Sequence, residues 1–213
     1  MSIESFPISK DFIQTRTDEW ISNNYDFIKL LNHNLTTDSV VMDLGGFCGK
    51  WSQRMLERYG CRLFVFEPID EYYSSLLNTF YGTTVRVHNY GISDRNKHHK
   101  IYLSNDASSL YQENDSQKSM DIELRDIVCT IDEMGVDSID LVNMNIERSE
   151  YDVLDRLLDS DYIQRVKKIQ VQFHTNLGRE SYFRRLEIQK RLAKTHTMLY
   201  NSDFCWEAWQ LNR

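Results

Sequence analysis

The chain has 213 residues, 41% hydrophobic and 27% charged, which suits one soluble domain with a full core of its own. Its 25 basic against 32 acidic side chains leave a formal charge of −7, which opposes bulk nucleic-acid binding because that requires many neutralised phosphates. No apolar run approaches membrane-spanning length, and "MSIESFPISK" lacks a basic stretch ahead of an apolar one, so no membrane span or secretory signal is expected and the cytoplasm is the expected location.

In chain order, residues 10–35 carry Phe12, Ile13, Trp20, Ile21, Phe27, Ile28, Leu30 and Leu31 at roughly helical spacing, predicting a helical cover over residues 1–37. Residues 38–213 follow as the main domain, and cover and domain together are expected to make a single compact unit. "SVVMDL" reads as a buried strand, "KWSQRMLERY" as a helix, and "CRLFVFEP" as a strand stopped by Pro68. "DEYYSSLLNTF" is a helix with Asp70 expected at its N-cap, and "TTVRVHNY" is a strand. A less regular polar region comes next, with one extra strand at "HHKIYLS". "SIDLVNMNI" is a buried strand, "SEYDVLDRLL" a helix opened by a Ser149–Asp152 capping pair, and "RVKKIQVQF" a strand. The long helix "SYFRRLEIQKRLAKT" precedes "HTMLY" and "FCWEAWQLN", two strands separated by the short loop "NSD" and therefore antiparallel neighbours. Cys48, Cys61, Cys129 and Cys205 lack CxxC spacing and read as reduced, mostly buried thiols.

Strand–helix alternation at this spacing predicts an α/β fold, a doubly wound and mostly parallel sheet with helices on both faces. In such a sheet ligands bind beyond the carboxyl ends of the strands, where strand order reverses. The loop "DLGGFCG" after the first strand is the expected cofactor site. Gly45, Gly46 and Gly49 let the backbone approach a ligand, and Asp43 can accept hydrogen bonds from the loop or from a bound ammonium group. A dinucleotide loop reads G-x-G-x-x-G around a pyrophosphate. Here an acid precedes the glycines and Phe47 stands where a second glycine would. An anionic Asp repels a pyrophosphate and favours a cationic sulfonium amino acid. Glu67 ends the second strand about twenty residues after the loop, where an acid accepts hydrogen bonds from both ribose hydroxyls of an adenosine.

A doubly wound sheet ending in an antiparallel strand is the arrangement of the class I (Rossmann-like) methyltransferases. The sequence resembles, from about Asp38 onward, the FkbM family of S-adenosylmethionine-dependent O-methyltransferases. The resemblance rests on "VVMDLGGFCGKW", "FVFEP", "YGISD" at 90–94, "DASSLY" at 106–111, "CTIDEM" at 129–134, "IDLVNMNIERSEYDVLDRLL" at 139–158, "IQVQFH" at 169–174 and "KTHTMLY" at 194–200. The most specific segment resembles the family's K-I-N-I-E-G-x-E-Y, with Asn143 in place of Lys and Arg148 in place of Gly. The resemblance implies S-adenosyl-L-methionine as cofactor, with Asp43, Gly45, Gly46, Phe47, Gly49, Glu67, Pro68, Gly91, Ser93 and Asn145 around it. It also implies a saccharide or glycan acceptor.

Methyl transfer to a sugar hydroxyl needs alignment and a group that takes the hydroxyl proton. Asn145, Glu147, Glu150 and His174 follow the fourth and fifth strands, whose carboxyl ends flank the crevice. Asn145 is an amide and can only orient. His174 has an ordinary pKa suited to neutral pH and is the expected general base, with Glu147 orienting the acceptor or the imidazole. Asn145 and His174 leave a hard-oxygen cluster without its obvious members, so no catalytic metal is expected. His98 and His99 are adjacent on a strand, point to opposite faces, and do not form a metal site with His88. Tyr72, Tyr73, Trp206 and Trp209 read mainly as packing residues. Two other readings stay open: an RNA methyltransferase, disfavoured by charge, and a non-catalytic cofactor-binding module, suggested by Asn145 and Arg148.

Overall fold

The computed structural model describes residues 10–103, 108–109, 119–175 and 179–212. "DASSLY" therefore lies largely outside the described residues, apart from Ser108 and Ser109. In chain order the elements are α1 (Lys10–Ser22), a π-helical turn (Asp26–Leu30), β1 (Val40–Leu44), α2 (Lys50–Tyr59), β2 (Arg62–Phe66), α3 (Asp70–Thr79) and β3 (Arg86–His88). They continue with β4 (Gly91–Ser93), β5 (Lys97–Leu103), β6 (Ser108–Ser109), β7 (Ser119–Asp126), α4 (Ile127–Glu133), β8 (Leu141–Met144) and α5 (Ser149–Asp159). A 3₁₀ turn (Tyr162–Arg165), β9 (Lys168–Val171), α6 (Arg179–Leu192), β10 (His196–Ser202) and β11 (Trp206–Leu211) complete the chain.

Seven strands form the main sheet in the order β10-β11-β9-β8-β1-β2-β3. The β1–β2, β2–β3, β1–β8 and β8–β9 pairings are parallel, whereas β11 runs antiparallel to both β9 and β10. The parallel sheet and its antiparallel C-terminal strand are as the alternation predicts. Strand order reverses between β1 and β8, so the crevice opens beyond Leu44 and Met144.

Period-two alternation divides each central strand between two cores. Met42, Leu44, Phe64, Phe66, Val142 and Val171 join one core, under α4, α5 and α6. Val41, Leu63, Val65 and Leu141 face the other way, with Met55 of α2 and Leu76 of α3. Each fully buried side chain of this kind contributes roughly 1.5–3 kcal/mol relative to exposure.

On that second face the apolar pattern is interrupted at one level. Asp43 pairs in register with Asn143, and Asn143 with Gln170, on neighbouring strands. Asn143 Nδ2 donates to Asp43 Oδ1 at 2.9 Å, Gln170 Nε2 donates to Asn143 Oδ1 at 2.8 Å, and Tyr200 Oη donates to Gln170 Oε1 at 3.2 Å. Ser52 Oγ of α2 closes the row on Asp43 Oδ2 at 2.5 Å. Asp43, Asn143, Gln170 and Ser52 are all buried, so each depends on its neighbours for the hydrogen bonds that water would otherwise supply.

Several local expectations are corrected. The polar region after β3 holds a second, four-stranded sheet, β4-β7-β5-β6, rather than one extra strand, and α4 follows it. The α3 N-cap is Ile69; Asp70 lies inside the helix and accepts from Asn89 Nδ2 instead. The α5 N-cap is Arg148 in a left-handed conformation, and Ser149 and Asp152 form no capping pair; the Arg148 N–H donates to Glu150 Oε2. All four cysteines are free, but Cys48 and Cys129 are exposed, against two buried, Cys61 and Cys205. Trp209 is a core residue, as expected, and Trp206 packs beside Trp20 and Leu30 under the N-terminal cover. No helix among the described residues is long and apolar enough to cross a membrane.

The polar row yields a direct test. Asn143→Ala removes the amide that links Asp43 to Gln170, leaving both buried groups short of a partner. It should lower unfolding free energy by about 1–3 kcal/mol in urea denaturation. An unchanged midpoint would show that the row contributes nothing to stability.

Candidate active site

The glycine loop leaves β1 by folding back on β2: the Gly45 and Gly46 amides both donate to the Phe66 carbonyl, at 3.0 and 3.2 Å. Gly45 has φ +87°, and a Cβ there would stand 2.3 Å from the Asn145 carbonyl oxygen. Only glycine lets the loops after β1 and β8 approach this closely. Phe47 also has positive φ, +46°, at the position where a second glycine would stand. Its ring is half-exposed and meets Tyr72 edge-on, 4.7 Å between centroids. That contact helps offset the roughly 1–2 kcal/mol cost of a left-handed non-glycine residue.

Glu67, at the end of β2, is buried yet borders the crevice. Its Oε2 accepts the Phe47 N–H at 2.8 Å and its Oε1 accepts the Ile69 N–H at 3.0 Å. One carboxylate thus pins the glycine loop to the loop before α3. Burial pushes its pKa up to about 7, against the pull of those two N–H bonds, and the Asp43 charge adds to the rise. Each Oε keeps a further lone pair for an incoming hydroxyl.

Between these loops and the second sheet lies a cavity of about 290 Å³. Gly45, Phe47, Glu67, Pro68, Gly91, Asn145 and Glu147 all line it, which brings together most of the residues expected from sequence. Asp43, Gly46, Gly49 and Ser93 do not. Asp43 is committed to Ser52 and Asn143 beneath the loop, and burial raises its pKa to about 6, so it supports the loop rather than presenting a carboxylate to a ligand. Gly46 and Gly49 are buried against Val65 and Leu76, and Ser93 Oγ donates to Asp94 Oδ1. The sequence reading missed the apolar wall: Ile69, Tyr72, Ile92, Ile101, Ile122 and Leu124. Alternation of apolar residues in "MDIELRD" was the available signal, since Ile122 and Leu124 point to one face of β7.

The loop after β8 is backbone-strained: Glu147 has φ +47° and Arg148 φ +92°. Arg148 therefore adopts the conformation that a glycine would take there. Glu150, fully buried, anchors this turn by accepting the Arg148 N–H at 2.7 Å on Oε2 and the His174 N–H at 2.7 Å on Oε1. The His174 ring lies between two carboxylates. Its Nδ1 is 3.0 Å from Glu150 Oε1 and its Nε2 3.3 Å from Glu147 Oε1. Burial alone would lower its pKa, but the Glu150 and Glu147 carboxylates outweigh burial and push it up to about 10. His174 is thus an imidazolium at neutral pH and lies behind Glu147, outside the cavity lining. The expectation of a neutral histidine base is corrected: an imidazolium has no lone pair to take a proton. Of the proposed acid–base residues, Glu147 faces the crevice, with Asn145 beside it. Among the described residues no group of three or more His, Cys, Asp or Glu side chains is arranged to hold a metal ion.

No family model matches the chain, and neither does any curated protein. Among solved structures it is similar to a provisionally assigned rRNA methylase from Clostridium thermocellum, with TM-score 0.55 and 12% identity over 91% of this chain and 96% of that one. It is also similar to SMU.1697c from Streptococcus mutans, a provisionally assigned methyltransferase in complex with SAH. There the TM-score is 0.51 and identity 11%, over 90% of this chain and 97% of that one. Such likeness is one of fold, and the fold is that of the class I methyltransferases.

The His174 environment is testable by NMR. Its imidazole should stay protonated through pH 8 and titrate near pH 10; a midpoint near 6.5 would disprove the double carboxylate contact. With the folded pKa raised, the stabilisation is complete below the unfolded value and is lost as pH climbs from about 7 to 10, at up to about 1.4 kcal/mol per pH unit.

Proposed function

We propose that the chain is an S-adenosylmethionine-dependent O-methyltransferase of the FkbM type, acting on a hydroxyl of a saccharide or glycan. The observation that carries the cofactor assignment is the pairing of Gly45, where any Cβ would collide with Asn145, with the buried Glu67 carboxylate across the same crevice. These residues fit an adenosyl amino acid: the loop offers close backbone approach, and Glu67 offers acceptor lone pairs to ribose hydroxyls. The cofactor supplies, when bound, an electrophilic methyl group on a sulfonium.

The protein's own part is to orient the acceptor and receive its proton. Glu147 is the crevice-lining carboxylate and takes the proton from the acceptor hydroxyl. Asn145 orients that hydroxyl, and His174 with Glu150 holds Glu147 in place. Alignment of acceptor and methyl group supplies much of the remaining rate. Charge supports this acceptor class. Glu67 and Glu147 line the cavity, and among the described residues no Lys or Arg lines it. Such a wall repels phosphates and suits a neutral polyhydroxyl ligand.

Two measurements test this reading. Incubation with methyl-labelled S-adenosylmethionine should label an oligosaccharide panel and leave RNA unlabelled, and Glu147→Gln should lower turnover by about 10²–10⁴-fold with cofactor affinity nearly constant. Label on RNA, or normal turnover in the variant, would overturn the acceptor or the base assignment respectively. Cofactor affinity should also rise as pH increases through about 7, where Glu67 ionises and becomes the stronger acceptor. That dependence should vanish in Glu67→Gln; an identical pH profile in the variant would remove the ribose assignment.

A further inference from the structure

A second cavity, of about 160 Å³, lies at the opposite end of the main sheet. Leu141 and Lys168, the first residues of β8 and β9, line it, whereas the crevice opens at the carboxyl ends of β1, β2 and β8. It is closed by the π-helical turn through Ile28 and Lys29, by Asn32 and His33, and by Tyr200 and Trp209 of the C-terminal hairpin.

The charge in this cavity is of one sign. Lys168 stands on the sheet face shared with Gln170, its ammonium partly buried, and desolvation lowers its pKa. Among the described residues no carboxylate lies within ion-pair distance of it. The acid acting on it is Asp140, whose Oδ1 is taken by Lys167 at 2.8 Å and whose Oδ2 accepts the Val40 N–H at 2.8 Å. Among the residues whose side chains are described, Lys29 likewise has no carboxylate partner. Its Nζ instead sits over the rings of Tyr25, Tyr200 and Trp20, at 3.8, 5.1 and 5.5 Å from their centroids. Arg58 reaches the lining residue Asn32, donating to its Oδ1 at 3.3 Å. His33 is kept neutral, its pKa lowered to about 4 by burial and further by the Lys168 and Arg58 charges. A partly buried ammonium without a counter-ion is costly, and an acidic protein that places two of them around one cavity gains most by binding a negative charge there.

We propose that this cavity is a binding site for a small oxyanion, a phosphate or carboxylate group held between the Lys29 and Lys168 ammonium groups. Asn32 contributes an amide, and Leu141, Ile169 and Ala208 form an apolar floor for the group that bears the anion. The site is independent of the methyl-transfer reading, because none of its lining residues borders the crevice.

The test uses the full chain with inorganic phosphate and, separately, acetate, titrated at constant ionic strength and followed by ¹⁵N amide shifts. Saturable shifts confined to Lys29, His33, Ala208 and Trp209 are expected with at least one anion. Phosphate alone would indicate a tetrahedral ligand and acetate alone a planar one. Lys168→Met and Lys29→Met should each weaken binding by about tenfold or more, the scale of one charge-assisted hydrogen bond. Exposed Lys194→Met should leave binding unchanged. Lys168→Met should also raise the melting temperature without ligand, so a loss of binding cannot be ascribed to unfolding. Absence of saturable shifts with both anions, or equal affinity in wild type and both cavity variants, would overturn the proposal.

Discussion

Everything in the crevice depends on the Glu67 carboxylate. Its two oxygens accept N–H groups from different loops, Phe47 after β1 and Ile69 before α3, so a single side chain ties together two loops that border the cavity. Burial makes this arrangement costly and also useful. A carboxylate raised to about pH 7 is held by backbone donors rather than by a lysine or arginine, and its remaining lone pairs face the cavity. An ion pair at this position would have neutralised the group that the ligand needs. Beneath it, the Asp43–Asn143–Gln170 row gives the glycine loop a rigid, fully hydrogen-bonded base.

The two ends of β8 illustrate how charge is distributed around this scaffold. At the carboxyl end, the carboxylates Glu147 and Glu150 flank a single imidazolium, and Glu67 lines the same crevice. At the amino end, lysines gather around a cavity closed by the N-terminal cover. Tyr200 connects the two regions, since it lines the second cavity and donates to Gln170, the last amide of the polar row. Parallel strands make this separation natural, because all their carboxyl ends lie on one side of the sheet.

Much of this is legible in the sequence. The alternation of "VVMDL", "RLFVF" and "LVNMN" specifies buried parallel strands, and the spacing from the glycine loop to Glu67 places both at one crevice. What escaped reading depends on distant partners. His174 is an ordinary strand-end histidine in sequence, and only the fold brings Glu147 and Glu150 to opposite ring nitrogens. Asp43 looked like a ligand group because nothing local shows that Asn143, a hundred residues away, occupies it. The second sheet was missed because its strands are short or only half-buried, and β4 pairs with β7 across an intervening hairpin. Capping patterns misplaced the starts of α3 and α5 by one residue each. At both sites a nearby glutamate, Glu67 or Glu150, accepts the N–H of the observed cap residue, Ile69 or Arg148.

The account rests on the crevice being an adenosyl site, and calorimetric titration of S-adenosylhomocysteine into the intact protein tests that most directly. One molecule per chain should bind with saturable heat, and its ribose should protect Glu67 and the Gly45–Gly49 loop from hydrogen exchange. No binding heat, or protection confined to another part of the chain while the protein remains folded, would contradict it.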